Sequence, residues 1–90
     1  MDIPNSLFVM VRSRDKTFFN NRVKAISSFN EKGPFDILPQ HANFISIIKD
    51  SVILHKETGE KEEIKIDGGV VRVFENHVNI FIGVFTRGLP

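Results

Sequence analysis

Apolar residues recur at every second position through most of this chain. The alternation is clearest over residues 7–11, 64–66, 71–73 and 78–84, where valine, isoleucine and phenylalanine dominate. A period of two is typical of β-strands, because successive side chains of a strand point to opposite faces of the sheet. No segment shows a sustained helical period. The pattern therefore predicts an all-β protein.

Turn-forming residues divide this pattern into short pieces. The predicted strands cover residues 7–12, 17–19, 23–29, 44–48, 52–56, 62–66, 69–74 and 78–85. The clearest turn is Glu57-Thr58-Gly59-Glu60, because Gly59 readily takes the positive φ that such turns often need. Only residues 39–42 are compatible with a single helical turn. Together these features predict a two-sheet β-sandwich of about eight to ten short strands.

Length and composition limit the classes of protein further. Ninety residues form one domain, which we place at residues 1–86 with a loose tail at 87–90. The start of the chain lacks the features of a signal peptide, and no apolar stretch is long enough to span a membrane. Because there is no cysteine, disulfides and thiolate metal sites are excluded. A formal net charge of +1 disfavours nucleic acid as the main partner.

Residue types that often carry chemistry are present but are not grouped as catalysis requires. The histidines are His41, His55 and His77, and none lies at metal-ligand spacing from another. Asp67-Gly68-Gly69 leads directly into a strand, which predicts a bulge or tight corner; a phosphate-binding loop would need a following helix. Ser27-Ser28 lies within a strand and lacks the nucleophile elbow. We therefore predict no catalytic residue, no metal site and no cofactor.

A modest basic stretch lies near the N-terminus, and its members are Arg12, Arg14, Lys16, Arg22 and Lys24. Two interpretations of this stretch remain open at the level of sequence. It is either the solvated face of an exposed hairpin or a patch that binds an acidic partner or lipid headgroups.

Residues 33–42 combine two prolines, a glycine and three large apolar side chains. A segment this rigid loses little conformational entropy when it binds a partner. Phe35, Ile37 and Leu38 are therefore candidate preorganised anchors. The alternative is that the segment plugs one end of the sandwich, and the residues themselves do not decide between the two.

The same segment resembles the signature of the epsilon subunit of F-type ATP synthases, in its N-terminal β-sandwich domain. The residues that match in register are Phe35, Ile37, Leu38, Pro39, His41 and Ala42. Asp67-Gly68-Gly69 and the apolar strands after it also resemble the family pattern, so the similarity extends over most of the chain. Asp36 and Gln40 depart from it, because the family has glycine at both positions. The helical hairpin that commonly follows the sandwich in this family has no counterpart within the 90 residues.

The resemblance implies a non-catalytic subunit of the central stalk that couples proton translocation to ATP synthesis. Its implied partners are the gamma subunit and the c-ring, with no nucleic acid, no nucleotide and no direct membrane insertion. The implied location is peripheral, at the cytoplasmic face of the inner (plasma) membrane. The c-ring-facing loop would consist of Glu31, Gly33, Pro34, Phe35, Asp36, Ile37, Leu38, Pro39, Gln40 and His41. The gamma-facing residues would be Phe44, Ile45 and Ile47.

Two other hypotheses compete with this one. The first is an orphan β-sandwich module that binds proteins of another assembly, and the altered loop glycines motivate it. The second is a small metal-binding or sugar-binding enzyme built on a sandwich, for which His41 would be the first residue to test.

Overall fold

The computed structural model describes residues 5–83, and every regular element in that range is a β-strand. The seven strands are β1 (Leu7–Arg12), β2 (Thr17–Val23), β3 (Ala25–Asn30), β4 (Gly33–Ile37), β5 (Phe44–His55), β6 (Lys61–Phe74) and β7 (His77–Ile82). The predicted all-β class is confirmed. The end of the last predicted strand and the tail at 87–90 lie outside the described residues. Residues 5–83 contain no helix with the length and apolarity needed to cross a membrane.

The strands are joined by hydrogen bonds into one sheet with the order β2-β1-β7-β6-β5-β3-β4. All neighbouring strands are antiparallel except β1 and β7, which are parallel. β5 and β6 have 12 and 14 residues, so each replaces two of the short strands predicted from the sequence. The prediction of eight to ten short strands is therefore wrong for the described residues. The two layers of the sandwich are connected through these long strands.

β5 and β6 take part in both layers because their pairing is interrupted halfway. Residues 44–48 of β5 pair with 69–73 of β6, and residues 50–55 pair with 61–66. The register shifts between these two blocks, and Asp50 there has a φ of 71°. The shift leaves extra β6 residues at Asp67-Gly68, which confirms the bulge predicted at this point. A β-carbon on Gly69 would lie 2.5 Å from the Phe81 carbonyl oxygen, so the strands approach each other here as only glycine allows.

The core draws on all seven strands. Its buried apolar residues are Leu7, Val9, Val11, Val23, Ile26, Ile37, Ile48, Val52, Leu54, Val71, Val73, Val78, Ile80 and Ile82. β2 and β4 are the two edges of the sheet, yet both contribute to this single cluster. The sheet must therefore fold back on itself, which is the arrangement of a β-sandwich.

We call the two layers of the sandwich the front layer and the rear layer. The front layer contains β2, β1, β7, residues 69–74 of β6 and residues 44–48 of β5. The rear layer contains residues 61–66 of β6, residues 50–55 of β5, β3 and β4. The predicted hairpin turn at residues 57–60 connects β5 to β6 in this rear layer. It is confirmed by the Lys56 and Gly59 amides, which donate to the carbonyls of Glu60 and Lys56 at 2.8 and 2.9 Å.

Candidate docking surfaces

The predicted c-ring-facing segment is a strand between two turns and is not a continuous loop. Glu31 and Lys32 form the tight turn between β3 and β4, where the Lys32 amide donates to Asn30 Oδ1 at 2.9 Å. β4 then runs from Gly33 to Ile37 as an edge strand. A proline is tolerated in an edge strand because one side of such a strand has no hydrogen-bonding neighbour.

Ile37 is fully buried in the core, so the structure contradicts its role as an exposed anchor. Inward and outward side chains alternate along β4, and Ile37 falls on the inward side. Phe35 is half-buried and packs against the core, while Leu38 is 55% exposed just beyond the strand. Of the three candidate anchors, only Leu38 presents most of its surface to a partner.

A β-turn follows β4, at a place where residues 39–42 were compatible with a single helical turn. The His41 amide donates to the Leu38 carbonyl at 3.1 Å, so residues 38–41 close a four-residue turn. Pro39 occupies the second position and Gln40, with a φ of 66°, the third, as in a type II turn. Glycine is the residue that most readily takes this conformation. Gln40 therefore needs support from its surroundings.

That support comes from the turn between β6 and β7. Glu75 and Asn76 both have positive φ, at 49° and 67°, which is the geometry of a type I′ hairpin. Asn76 Oδ1 accepts a hydrogen bond from the Gln40 amide at 2.6 Å. In return, Asn43 Oδ1 accepts one from the Glu75 amide at 3.2 Å. Residues 38–43 are thus fastened to the end of the front layer by two reciprocal bonds. We call this pair of bonds the asparagine clamp.

An aromatic cluster supports the same segment from inside. The ring centroids of Phe35 and Phe44 are 5.6 Å apart, and those of His41 and Phe44 are 5.2 Å apart, both with edge-to-face geometry. The Nδ1 atom of His41 lies 2.7 Å from the Ala42 carbonyl oxygen. Phe44, predicted to face the gamma subunit, is the half-buried central member of this cluster and packs against the core.

Ile45 and Ile47 point away from the core and are 68% and 64% exposed. They lie beside the turn at Glu31 and Lys32, and the two sets of residues line a common groove. Asn30 and Ser46 also line the groove, and Asn30 Nδ2 donates to Ser46 Oγ at 3.2 Å. Residues predicted to face two different partners therefore border one another.

The outer face of the front layer also carries exposed phenylalanines that were not predicted to form part of a site. Phe8, Phe74 and Phe81 are 45%, 47% and 40% exposed. An arginine guanidinium lies over each ring: Arg22 over Phe8 at 4.9 Å, and Arg72 over Phe74 and Arg12 over Phe81 at 5.8 Å. We call these six residues the arginine–phenylalanine face. Phe8 and Phe81 sit at the outward positions of apolar alternating strands, and this signal was available in the sequence.

A serine, a histidine and an aspartate meet on the outside of the rear layer. Ser27 Oγ donates to Asp36 Oδ1 at 2.6 Å and lies 2.8 Å from His55 Nε2. The serine is the middle member of this chain of hydrogen bonds, so the carboxylate does not orient the imidazole as it does in a catalytic triad. The arrangement instead ties the edge strand β4 to β3 and β5. Within residues 5–83 no three His, Cys, Asp or Glu side chains are grouped as metal ligands would be.

Comparison with known proteins agrees with these structural features. The sequence model of the ATP synthase delta/epsilon chain β-sandwich domain matches residues 6–88. The ATP synthase epsilon chain of Nitratiruptor sp. is 37% identical over 65 residues, which cover 71% of this chain and 50% of that protein. The epsilon chain of Campylobacter fetus is 27% identical over 79 residues, which cover 87% of this chain and 61% of that protein. The chain thus spans about half to three-fifths of the length of these relatives.

Solved structures share the fold at lower sequence identity. A chain in the mitochondrial ATP synthase of Euglena gracilis superposes with a TM-score of 0.83 at 21% identity, covering 91% of this chain and 53% of that one. A chain in the central stalk and c-ring structure of the Tetrahymena thermophila mitochondrial ATP synthase gives a TM-score of 0.70 at 14% identity. That match covers 91% of this chain and 66% of the other.

Proposed function

The chain belongs to the family of ATP synthase delta/epsilon chain β-sandwich domains, and from this membership we propose that it is a non-catalytic subunit of the central stalk. In this role it binds the gamma subunit and the c-ring and transmits rotation between them. The observation that carries the proposal is the asparagine clamp, which holds an exposed Leu38 at a fixed position on the sandwich. A rotor component must transmit torque without yielding, and a clamped turn on a close-packed core suits that task.

The contact with the c-ring is proposed to involve residues 31–41, apart from the inward-facing Ile37. Leu38 and the turn at Glu31 and Lys32 are among its exposed parts. Leu38 offers apolar surface, and the turn offers one charge of each sign. Such a mixture fits polar loops that carry occasional apolar side chains. Phe35 and His41 contribute indirectly, because their ring contacts with Phe44 hold the backbone next to Leu38 in place.

The contact with the gamma subunit is proposed to involve Ile45 and Ile47. Two large aliphatic side chains on neighbouring outward positions of a strand offer an apolar strip, and both are more than three-fifths exposed. Burying most of a side chain of this size is worth about 1.5–3 kcal/mol, so the pair can act as a binding hot spot. Phe44 does not project with them and instead supports the strand from the core side.

We place the protein at the cytoplasmic face of the inner (plasma) membrane, held there by its partners. We also propose that it performs no chemistry and binds no nucleotide. Its surface exposes several large apolar and aromatic side chains, among them Leu38, Ile45 and Phe81, and such side chains suit contact with proteins. An orphan module of another assembly would have the same surfaces but different partners, so a binding experiment separates the two.

The test is recovery of partners from membranes of cells that make the complete synthase of the source organism. Tagged chain is purified in mild detergent, and the gamma subunit and c-ring subunit are quantified by mass spectrometry. The proposal expects both to be recovered with the unmodified chain. Leu38→Asp should reduce recovery of the c-ring at least fivefold, because it places a charge in a desolvated contact. Thr58→Asp, in the exposed turn at the far end of β5, is the matched control and should have no effect.

Recovery of neither subunit with the unmodified chain would overturn the proposed function in favour of the orphan module. Equal recovery with Leu38→Asp and Thr58→Asp would preserve the stalk assignment. It would, however, remove Leu38 from the contact with the ring.

A further inference from the structure

We propose that the outer face of the front layer binds a protein surface on which carboxylates surround apolar side chains. This inference rests on the proposed function, under which that surface belongs to the gamma subunit. It extends the contact from the two isoleucines of β5 across the whole layer and specifies the charge of the partner. It also assigns Arg12 and Arg22, two of the five members of the basic stretch near the N-terminus, to a binding patch.

The cross-strand register brings the residues of this face together in three rows. The first row is Arg22, Phe8, His77 and Phe74; the second is Asn20, Met10, Asn79, Arg72 and Ile45; the third is Arg12, Phe81, Val70 and Ile47. Paired residues project from the same side of a sheet. All members of the rows therefore share one face, opposite the core side of the same strands. The isoleucines of the groove form one end of it.

Not one of the residues in these rows is acidic. Each guanidinium of the arginine–phenylalanine face is held over a ring, and within residues 5–83 it has no carboxylate within ion-pair distance. The carboxylates closest along the chain, Asp15 and Glu75, lie in the turns that border the face. Stacking occupies the flat side of a guanidinium and leaves its in-plane N–H donors free. These donors fit carboxylates approaching from outside.

The apolar surface between the arginines is large enough for specific association. A phenylalanine side chain offers about 200 Å² of surface, so the three half-exposed rings alone leave on the order of 250 Å² in solvent. With Ile45 and Ile47 the area reaches the range of the largest patches on monomeric proteins, which is about 300–600 Å². Rings held by cations are also rigid anchors, which lose little entropy on binding.

Charge complementarity selects the partner among the surfaces that could cover this patch. A second copy of the chain, related by a two-fold axis, would oppose arginines to arginines with no acidic residue on the face to offset them. A phosphate backbone would need a broader basic excess than a net charge of +1 provides. An acidic, partly apolar protein surface satisfies both the guanidinium groups and the rings. Continuity with the groove at Ile45 and Ile47 places that surface at the proposed gamma contact.

The test uses the full chain and the purified gamma subunit of the same synthase, with affinity measured by calorimetry at two salt concentrations. Arg12→Gln with Arg72→Gln removes two charges from the face while keeping polar side chains of similar length. Lys61→Gln with Lys65→Gln removes two charges from the exposed outside of the rear layer and is the matched control. Urea unfolding of each variant establishes that it is folded, and Arg12→Lys with Arg72→Lys retains the charge while removing the planar group.

The inference expects the Arg→Gln pair to weaken binding at least tenfold and the lysine control to change it by less than about twofold. The affinity of the unmodified chain should fall as salt is raised, and that of the Arg→Gln pair should fall less steeply. The Arg→Lys pair should lie between the two. Equal binding by the Arg→Gln pair and the lysine control would overturn the inference and leave the proposed function intact.

Three other outcomes also count against the inference. If the unmodified chain does not bind gamma at all, the proposed gamma contact and this inference fail together, while recovery of the c-ring remains a separate measurement. Binding to gamma that does not respond to salt would overturn the predicted charge of the partner. The third outcome concerns the class of the partner. If a single-stranded oligonucleotide or an anionic lipid vesicle binds the chain more tightly than gamma does and loses that binding in the Arg→Gln pair, the partner of the face is not a protein.

Discussion

Asn76 is the residue through which the stiffness of the proposed docking turn can be measured. Its side-chain oxygen accepts the 2.6 Å bond from the Gln40 amide, and its own backbone has a φ of 67°. Asparagine suits both tasks, because it tolerates the left-handed region and carries an acceptor on a short side chain. Three substitutions separate the two roles. Aspartate keeps both, glycine keeps only the backbone tolerance, and alanine keeps neither.

The expected loss of stability follows from these roles. Asn76→Asp should leave the free energy of unfolding nearly unchanged. Asn76→Gly should lower it by about 1–2 kcal/mol, from one lost hydrogen bond and the added freedom of glycine in the unfolded chain. Asn76→Ala should lower it by about 2–3 kcal/mol, because it loses the same bond and adds the strain of a β-carbon in the left-handed region. In a domain of this size 1 kcal/mol corresponds to about 4–8 °C in melting temperature.

Two measurements check this expectation. Urea unfolding gives the order of stability of the variants, and hydrogen exchange followed by NMR reports the clamp directly. The Gln40 amide should exchange faster in the glycine and alanine variants but not in the aspartate variant. The Gly59 amide, bonded to Lys56 at the other end of β5, is the internal control and should not change. A Gln40 amide that stays equally protected in Asn76→Gly would refute the clamp, because its only described acceptor would then not be needed.

Two further predictions concern the packing of the sandwich. Gly69→Ala should destabilise the fold by about 1–3 kcal/mol in urea unfolding, because its β-carbon would lie 2.5 Å from the backbone oxygen of Phe81 and the strands must separate. The control is Gly59→Asn, at a positive φ with open space around it, which should cost less than about 1 kcal/mol. A Gly69→Ala protein as stable as that control would contradict the close approach. Ile37→Ala should also lower stability by about 2–5 kcal/mol, whereas Leu38→Ala should change it by less than about 1 kcal/mol, because only the first side chain is buried. Similar losses for both would show that the inward position of Ile37 is wrong.

Local pattern was sufficient to predict the strand class and the clearest turns. β1 has the predicted bounds, because alternating burial is visible along its own sequence. The turn at 57–60 was predicted from Gly59, whose observed φ is 97°. In both places the determining interactions lie within a few residues of each other. The match to the signature around residues 35–42 also depends only on neighbouring positions.

The lengths of β5 and β6 depend on contacts between distant residues. Asp50-Ser51 and Asp67-Gly68 have the composition of turns, and strands were predicted to end at both. In the folded chain the two breaks lie opposite each other in the pairing of β5 with β6, and pairing resumes on both sides of them, so together they form a bulge within two long strands. Whether a polar or glycine residue ends a strand or bends it is decided by the partner strand. β4 was missed for a related reason, because Pro34 is compatible with a strand only at the edge of the sheet.

The sequence by itself determined that this is an all-β chain with a rigid signature segment and no local grouping of catalytic residues. Which side of each strand faces the core was decided only by the tertiary structure, because β1 and β7 carry apolar side chains on both sides. Phe8 and Phe81 became surface residues when β1 paired with β7 and the folded sheet closed over Leu7, Val9 and Ile80. Alternation specifies two faces, but only long-range pairing selects which one is buried.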